Sequence, residues 1–433
     1  MRRGIAALLI VCLVAVALIP GCQPTPEGTI RVGVIGPMTF IQGEQHWYGA
    51  EMAADEINEA GGVVVGNETM QIELVRIDSN EMLSVPDAKM AMEKAITVDG
   101  VDFLVGGFRT EAVLAMQDVA MDNQKIFLGC GAADTILCER VAEDYDRYKY
   151  WFRVTPVNSN LLVTISLFVL ENVIGVVKDE LGIEDVKVAL LMEKAAVGDD
   201  LVYASEHVVP LMGVELVGTW RPSPTATDVT AELSAIKDSG AHIILTYFSG
   251  PAGIVYAKQW GELEIPAASA GINVEAQKSG FWDATGGKGN YDTTLNTYAR
   301  IAQTDKTIPF YDKFVEETGE FPTYTAGTYD ALYILKEAIE KAGTLDSDAV
   351  VPELEDTEYY GSAGRIMFMP TTISTPHDLM WGPEYVTGIG TQWQDGELLC
   401  VWPPPDGSWK GVVYEGAVAY ELPPWVIDYW EAK

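Results

Sequence analysis

Strand and helix signals alternate along this 433-residue chain, and the alternation runs through twice. Thr29–Ile35 is a β-branched run that ends at Gly36-Pro37. Trp47–Ala60 has helical spacing and stops at Gly61-Gly62, a pair that can take up the positive φ of a helix end. Met70–Ile77 then predicts a strand, Val85–Ile96 a helix, Val101–Val105 a strand ending at Gly106-Gly107, Thr110–Met121 a helix and Lys125–Leu128 a strand ending at Gly129. The order restarts with a strand at Val186–Met192, a helical region at Asp199–Pro210 and a strand at Val214–Val217. A helix at Val229–Ser239, a strand at His242–Tyr247 and a helix at Ala252–Trp260 follow. This βαβα order predicts an α/β fold with parallel sheets and helices on both faces. The chain exceeds one ordinary core, so two sets of similar size predict two similar lobes. No low-complexity linker parts them, which allows hinging about a defined axis. Helices return at Phe310–Thr318 and Tyr324–Ala342, and the stretch from Gly364 on is β-like and rich in Trp, Pro and Gly. Leu161–Val177 comes nearest to a membrane span, but Ser166, Glu171 and Asn172 interrupt it, and it is expected to be a buried helix.

Composition narrows the partners. Asp and Glu number 63 against 28 Lys and Arg, a net charge of −35. A phosphate backbone is repelled by such a surface, so nucleic acid is excluded. Anionic lipid headgroups are disfavoured as well. The acidic surface suits an exported protein that must stay soluble, and an apolar fraction of 48% supports packed cores.

The first residues carry an address. Met1-Arg2-Arg3 is basic, Gly4–Ile19 is almost wholly apolar, and the run stops at Ile19-Pro20-Gly21-Cys22. This predicts a lipoprotein signal over residues 1–21. Cys22 would take the lipid that anchors the chain to the membrane, and residues 22–28 would form a tether. Pro20 is unusual just before the small residue, and an uncut signal anchor is the alternative. Either way the chain is expected to work outside the cytoplasm. Of the other cysteines, Cys130 and Cys138 can close a short disulfide loop or remain buried thiols, as can Cys400.

Enzyme signals are weak. The four histidines, His46, His207, His242 and His377, form no metal-ligand spacing. Val32-Gly33-Val34-Ile35-Gly36-Pro37 lacks the third glycine of a dinucleotide loop, and Gly286-Gly287-Lys288-Gly289 lacks P-loop spacing. No cofactor, metal or catalytic residue is expected. The strand-to-helix turns are better candidates, because ligands of parallel α/β sheets sit beyond the carboxyl ends of the strands. In Gly106-Gly107-Phe108-Arg109-Thr110-Glu111, the glycines admit a ligand, Thr110 offers a hydroxyl and Arg109 can hold a carboxylate. The alternative for Arg109 is a surface pair with Glu111. Gly131-Ala132-Ala133-Asp134 is a second such turn.

Several segments, in order, resemble the branched-chain amino acid type of solute-binding protein. Ile30–Thr39 is similar to its opening strand, and Tyr48–Val63 to its first helix and closing turn. Phe152-Arg153-Val154-Thr155-Pro156 resembles the first inter-lobe crossing. Thr325–Leu332 with Ala338–Gly343 resembles the late helix, and Gln392–Gly396 and Pro423-Pro424-Trp425 resemble the tail. The resemblance implies a type I periplasmic-binding fold: two Rossmann-like lobes, three crossovers and a ligand cleft. On that basis lobe 1 is expected over residues 29–155 plus 300–370. Lobe 2 is expected over 156–299 plus 371–420, with a tail at 421–433. The resemblance further implies a monomer that delivers a small solute to an ABC permease. A sensor of the same fold is the alternative, and an extracytoplasmic enzyme a distant one.

Carried over by resemblance, the ligand site falls on Gln42, Thr110, Gly131, Ala133, Val197, Tyr247, Ser249 and Asn273, and the reading of the first turn adds Arg109. Thr110 and Gly131 match the family's hydroxyl and carbonyl positions. The others depart from it: Ala133 replaces a Thr, Val197 an aromatic before Gly198, and Ser249 a second aromatic, unless Tyr247 or Phe248 substitutes. Gln42 falls near a third aromatic, and Asn273 near the acid that pairs with the ligand ammonium. Asn273 cannot neutralise a buried ammonium, which costs several kcal/mol when left unpaired. The expected ligand is therefore a small polar solute, such as an organic acid or amide, and not a plain branched-chain amino acid. Glu111 or Glu193 would be the rescue for an amine.

Overall fold

The computed structural model describes residues 28–154 and 157–433, without the side chains of 196, 197 and 200. The expected signal, Cys22 and most of the tether therefore lie outside the described residues, as do Thr155 and Pro156.

The first sheet is built from β1 (Thr29–Gly36), β2 (Val63–Val65), β3 (Glu68–Asp78), β4 (Phe103–Gly106), β5 (Phe127–Gly129) and β6 (Trp151–Arg153), in the order β2-β3-β1-β4-β5-β6. All neighbours pair parallel except β2 with β3. β1 lies in the middle, which is why its sequence from Val32 to Gly36 is a continuous apolar run and not an alternating one. Helices α1 (Ile41–Glu59), α2 (Val85–Thr97), α3 (Thr110–Asp122), α4 (Ile136–Glu143) and α5 (Tyr145–Tyr148) join these strands. The register sets Gly36 beside Asp78, Ile35 beside Gly106, and Gly129 beside both Gly106 and Arg153. The carboxyl ends of the strands thus form one rim.

After Arg153 the chain enters a second lobe. α6 (Ser159–Leu181) opens it, capped by the Asn158 side chain, which accepts from the Leu161 N–H at 3.0 Å. By length and composition this helix is apolar enough to cross a bilayer, contrary to expectation, but Ile165, Val169, Leu170, Val173, Ile174 and Val177 are buried inside the lobe. Then come β7 (Lys187–Met192), α7 (Ala196–Val208), β8 (Glu215–Trp220), α8 (Thr230–Ser239), β9 (Ile243–Phe248), α9 (Ala252–Glu262), β10 (Ala268–Asn273), α10 (Phe281–Thr285) and β11 (Thr293–Asn296). The order β10-β9-β7-β8 is parallel throughout. Register brings Met192 beside Tyr247 and Phe248 beside Asn273, a second rim of the same kind.

The chain returns to the first lobe for α11 (Thr307–Thr318), α12 (Thr328–Ala342), α13 (Ser347–Glu355) and the hairpin β12 (Tyr359–Gly361) and β13 (Gly364–Ile366). Phe310, Phe314, Leu335, Val350, Leu379 and Val386 all join the first core. The stretch expected in lobe 2 from residue 371 therefore still belongs to the first core at Val386. It crosses back just before β14 (Ile389–Gln394), which pairs with β11 and β15 (Glu397–Trp402). The final helix, α14 (Pro424–Glu431), docks on lobe 2, where Trp425 and Trp430 donate to the Ile265 and Pro266 carbonyls. Cys130, Cys138 and Cys400 are free and buried, so the disulfide alternative is not the one adopted.

Candidate functional site

Both rims border one narrow space. Ile41, Gln42, Thr323 and Tyr324 line it from lobe 1, and Val274, Gln277 and Lys278 from lobe 2. α1 begins at Ile41, six residues before the expected start, for a tertiary reason. Gln45 in its first turns accepts from the Thr323 N–H at 2.6 Å and donates to the Phe321 carbonyl at 2.7 Å. That clamp fixes both Gln42 and Tyr324 at the rim. Phe108 stands 6.2 Å from Tyr324, ring to ring.

The turn after β4 needs its glycines. Gly106 has φ +114°, and a Cβ there would fall 2.2 Å from the Ile35 carbonyl oxygen. The turn presents the N–H groups of Phe108 and Arg109, but both donate to Glu81 Oε2, at 3.0 and 2.8 Å. Ser79 donates to Glu81 Oε1 at 2.9 Å. Burial raises the Glu81 pKa, and these bonds oppose it. A carboxylate of the chain thus occupies the anion-binding amides. Arg109 is turned outward, donating to Glu111 at 2.9 Å and to the Met82 carbonyl at 3.3 Å. This is the surface pair given above as its alternative. Thr110 opens α3, half-buried.

Gly131 is buried against the Gly107 carbonyl. The Ala133 carbonyl accepts from the Ser159 N–H at 2.8 Å, which ties this turn to α6. Beneath it, the buried Arg153 guanidinium donates to the Ala132 and Asp134 carbonyls and pairs with Asp378 at 3.0 Å.

In lobe 2, the Val197 side chain lies outside the described residues. Tyr247 is the next-to-last residue of β9, half-buried, with burial and then the Glu193 carboxylate raising its hydroxyl pKa. Burial, and then the Tyr247 hydroxyl, raise the Tyr324 pKa. Ser249 is exposed and donates to Glu193 Oε1, whereas Glu193 Oε2 is buried without a partner among the described residues. Asn273 does not serve the cleft with its amide N–H. Its Nδ2 donates to Asp292 Oδ2 at 2.7 Å and to the Gly253 carbonyl at 3.1 Å, beneath the start of α9. A Cβ at Gly253 would fall 2.1 Å from Asn273 Oδ1, so a glycine is required there.

The structure therefore brings Gln42 to the cleft wall and Tyr247, Ser249 and Glu193 together on lobe 2. It turns Arg109 and Asn273 to other partners. Glu81, Phe108, Tyr324, Gln277 and Lys278 were not foreseen. Tyr324 had no local signal, because its place depends on a contact with Gln45 far away in sequence. Glu81 lies three residues beyond the end of β3 and was legible only as a loop acid.

The periplasmic binding protein family model matches residues 29–385. This chain belongs to the periplasmic binding protein family. Membership places the chain among extracytoplasmic binding proteins. This periplasmic binding protein is 25% identical, over 359 residues, to the Leu/Ile/Val-binding protein BraC3 of Rhizobium johnstonii, covering 80% of this chain and 89% of the relative. A putative branched-chain amino acid ABC transporter structure from Silicibacter pomeroyi shares its fold, with a TM-score of 0.74, 20% identity and coverage of 92% and 100%. So does an R. palustris solute-binding protein in complex with 4-hydroxybenzoate, with a TM-score of 0.65, 20% identity and coverage of 86% and 95%.

Proposed function

We propose that this periplasmic binding protein captures a small polar solute between its lobes by hinge closure and delivers it to an ABC permease. In this reading it works as a monomer, tethered to the membrane through lipid on Cys22. The observation that carries it is the meeting of both rims on one space, with Gln42 and Tyr324 on one wall and Val274 and Lys278 on the other. Closure about three crossings buries such a space, which strengthens each polar contact inside it.

The solute belongs to the amino-acid, amide and organic-acid class. The Leu/Ile/Val-binding relative supports the first, and the 4-hydroxybenzoate complex the last. Plain branched-chain amino acids fit poorly. Asn273 stands where the ammonium would need a carboxylate; its amide N–H groups go to Asp292 and Gly253, and the carbonyl oxygen left over is neutral and cannot balance the charge. Thr110 is the anchor for a ligand carboxylate, since Glu81 fills the neighbouring amides. Isothermal titration with leucine and valine tests this directly. We expect binding weaker than micromolar for both, and a micromolar or tighter constant for either sinks the exclusion.

A further inference from the structure

Glu193 is the one acid of the lobe 2 rim that combines complete burial with an oxygen lacking any partner among the described residues. Its other oxygen accepts from Ser249, and Tyr247 lies alongside. Its backbone is held as firmly. The Glu193 N–H donates to the Tyr247 carbonyl at 2.9 Å, and Arg221 donates to the Glu193 carbonyl at 2.8 Å. A buried acceptor without a donor costs about 1–3 kcal/mol, and such a group in a native fold calls for an explanation. Here the oxygen stands in the turn that closes β7, at the same rim as Tyr247.

We propose that Glu193 Oε2 is the acceptor for a hydrogen-bond donor of the bound solute, either a hydroxyl or an amine. The assignment rests on the cleft reading given above and deepens it. β7 lies two strands from β10, so this acceptor is displaced by about 10 Å from the Asn273 position. The fitting solute is a small carboxylic acid whose donor is held apart from its carboxylate, not on the same carbon. The paired rings of Phe108 and Tyr324 supply an apolar wall on the lobe 1 side.

Matched probes test it by titration calorimetry on the full mature chain: 4-hydroxybenzoate against benzoate for the hydroxyl, and 4-aminobutanoate against butanoate for the amine. In at least one pair the donor-bearing acid binds tenfold or more tighter, and Glu193→Gln cuts that advantage to about threefold or less. A cooperative thermal transition of Glu193→Gln that matches the unchanged chain guards against misfolding of the variant. Equal affinities within both pairs, or a preference that survives Glu193→Gln, overturn the Glu193 assignment and leave the carrier reading intact. Silence of all four probes also overturns it. Only silence of a wider amino-acid, amide and organic-acid panel in thermal shift overturns the carrier reading itself.

Discussion

Asp292 shows how far one residue's environment can depart from its local sequence. It lies fully buried between β10 and β11, accepting from Ser269 at 2.7 Å and from Asn273 at 2.7 Å, and neither partner is cationic. Burial pushes its pKa up to about 7, and those hydrogen bonds offset only part of the effect. An Asp raised in the folded state holds its proton there while the unfolded chain has already lost it. Stability from this group is therefore greatest below the unfolded value near 4, falls as pH rises towards 7, and is level above that. Between pH 5 and 8 the loss is about 2–3 kcal/mol. Asp292→Asn should remove that part of the slope. Urea midpoints of both proteins at pH 5 and pH 8 check it, and an identical pH dependence in the two would contradict the account. The same residue explains why the Asn273 amide N–H groups are committed away from the cleft: nothing near residue 273 in sequence announces a buried carboxyl nineteen residues on.

Elements were legible where their signal is local. β1, α2, α3 and α9 sit within two residues of their expected ends, because β-branched runs, a Ser84 cap and strand-ending glycines are written in place. β10 was missed: Ala268-Ser269-Ala270-Gly271-Ile272-Asn273 is small and polar for a strand, and it is made one by β9 on one side and β11 near the other. The glycine turns after β4 and β5 were legible as close-approach sites for the same local reason. Their partners Glu81 and Arg153 were not, since these are held by distant contacts. Arg153 ends β6 and is joined to the 377–378 segment by the Asp378 ion pair and by its N–H to the His377 carbonyl at 3.0 Å. It therefore locks the return loop to the sheet edge beneath the Gly131 turn. Arg153→Met should strand a buried carboxylate and cost about 3–5 kcal/mol. Adding Asp378→Leu should recover much of that loss, because the pair's own net worth is small. Chemical denaturation of the two variants decides it, and a double variant as unstable as the single one would argue against the pairing.

At the scale of the whole molecule, the question is whether the two lobes act as one unit when a solute is held. Each has its own core, so each can unfold on its own. A solute gripped by Gln42 and Tyr324 on one side and by Tyr247 and Glu193 on the other binds only while both lobes are folded. At 100 times its dissociation constant it stabilises that state by about 2.7 kcal/mol. Spread over the unfolding entropy of the entire chain, this raises a single joint transition by about 3 °C. A solute held by one lobe alone would raise that lobe's transition by about 6 °C, since half the chain carries half the entropy, and would leave the other unmoved. Scanning calorimetry with and without a saturating probe from the calorimetric pairs separates the outcomes. We expect one transition shifted as a unit, and two transitions of which only one moves would place the solute outside the cleft.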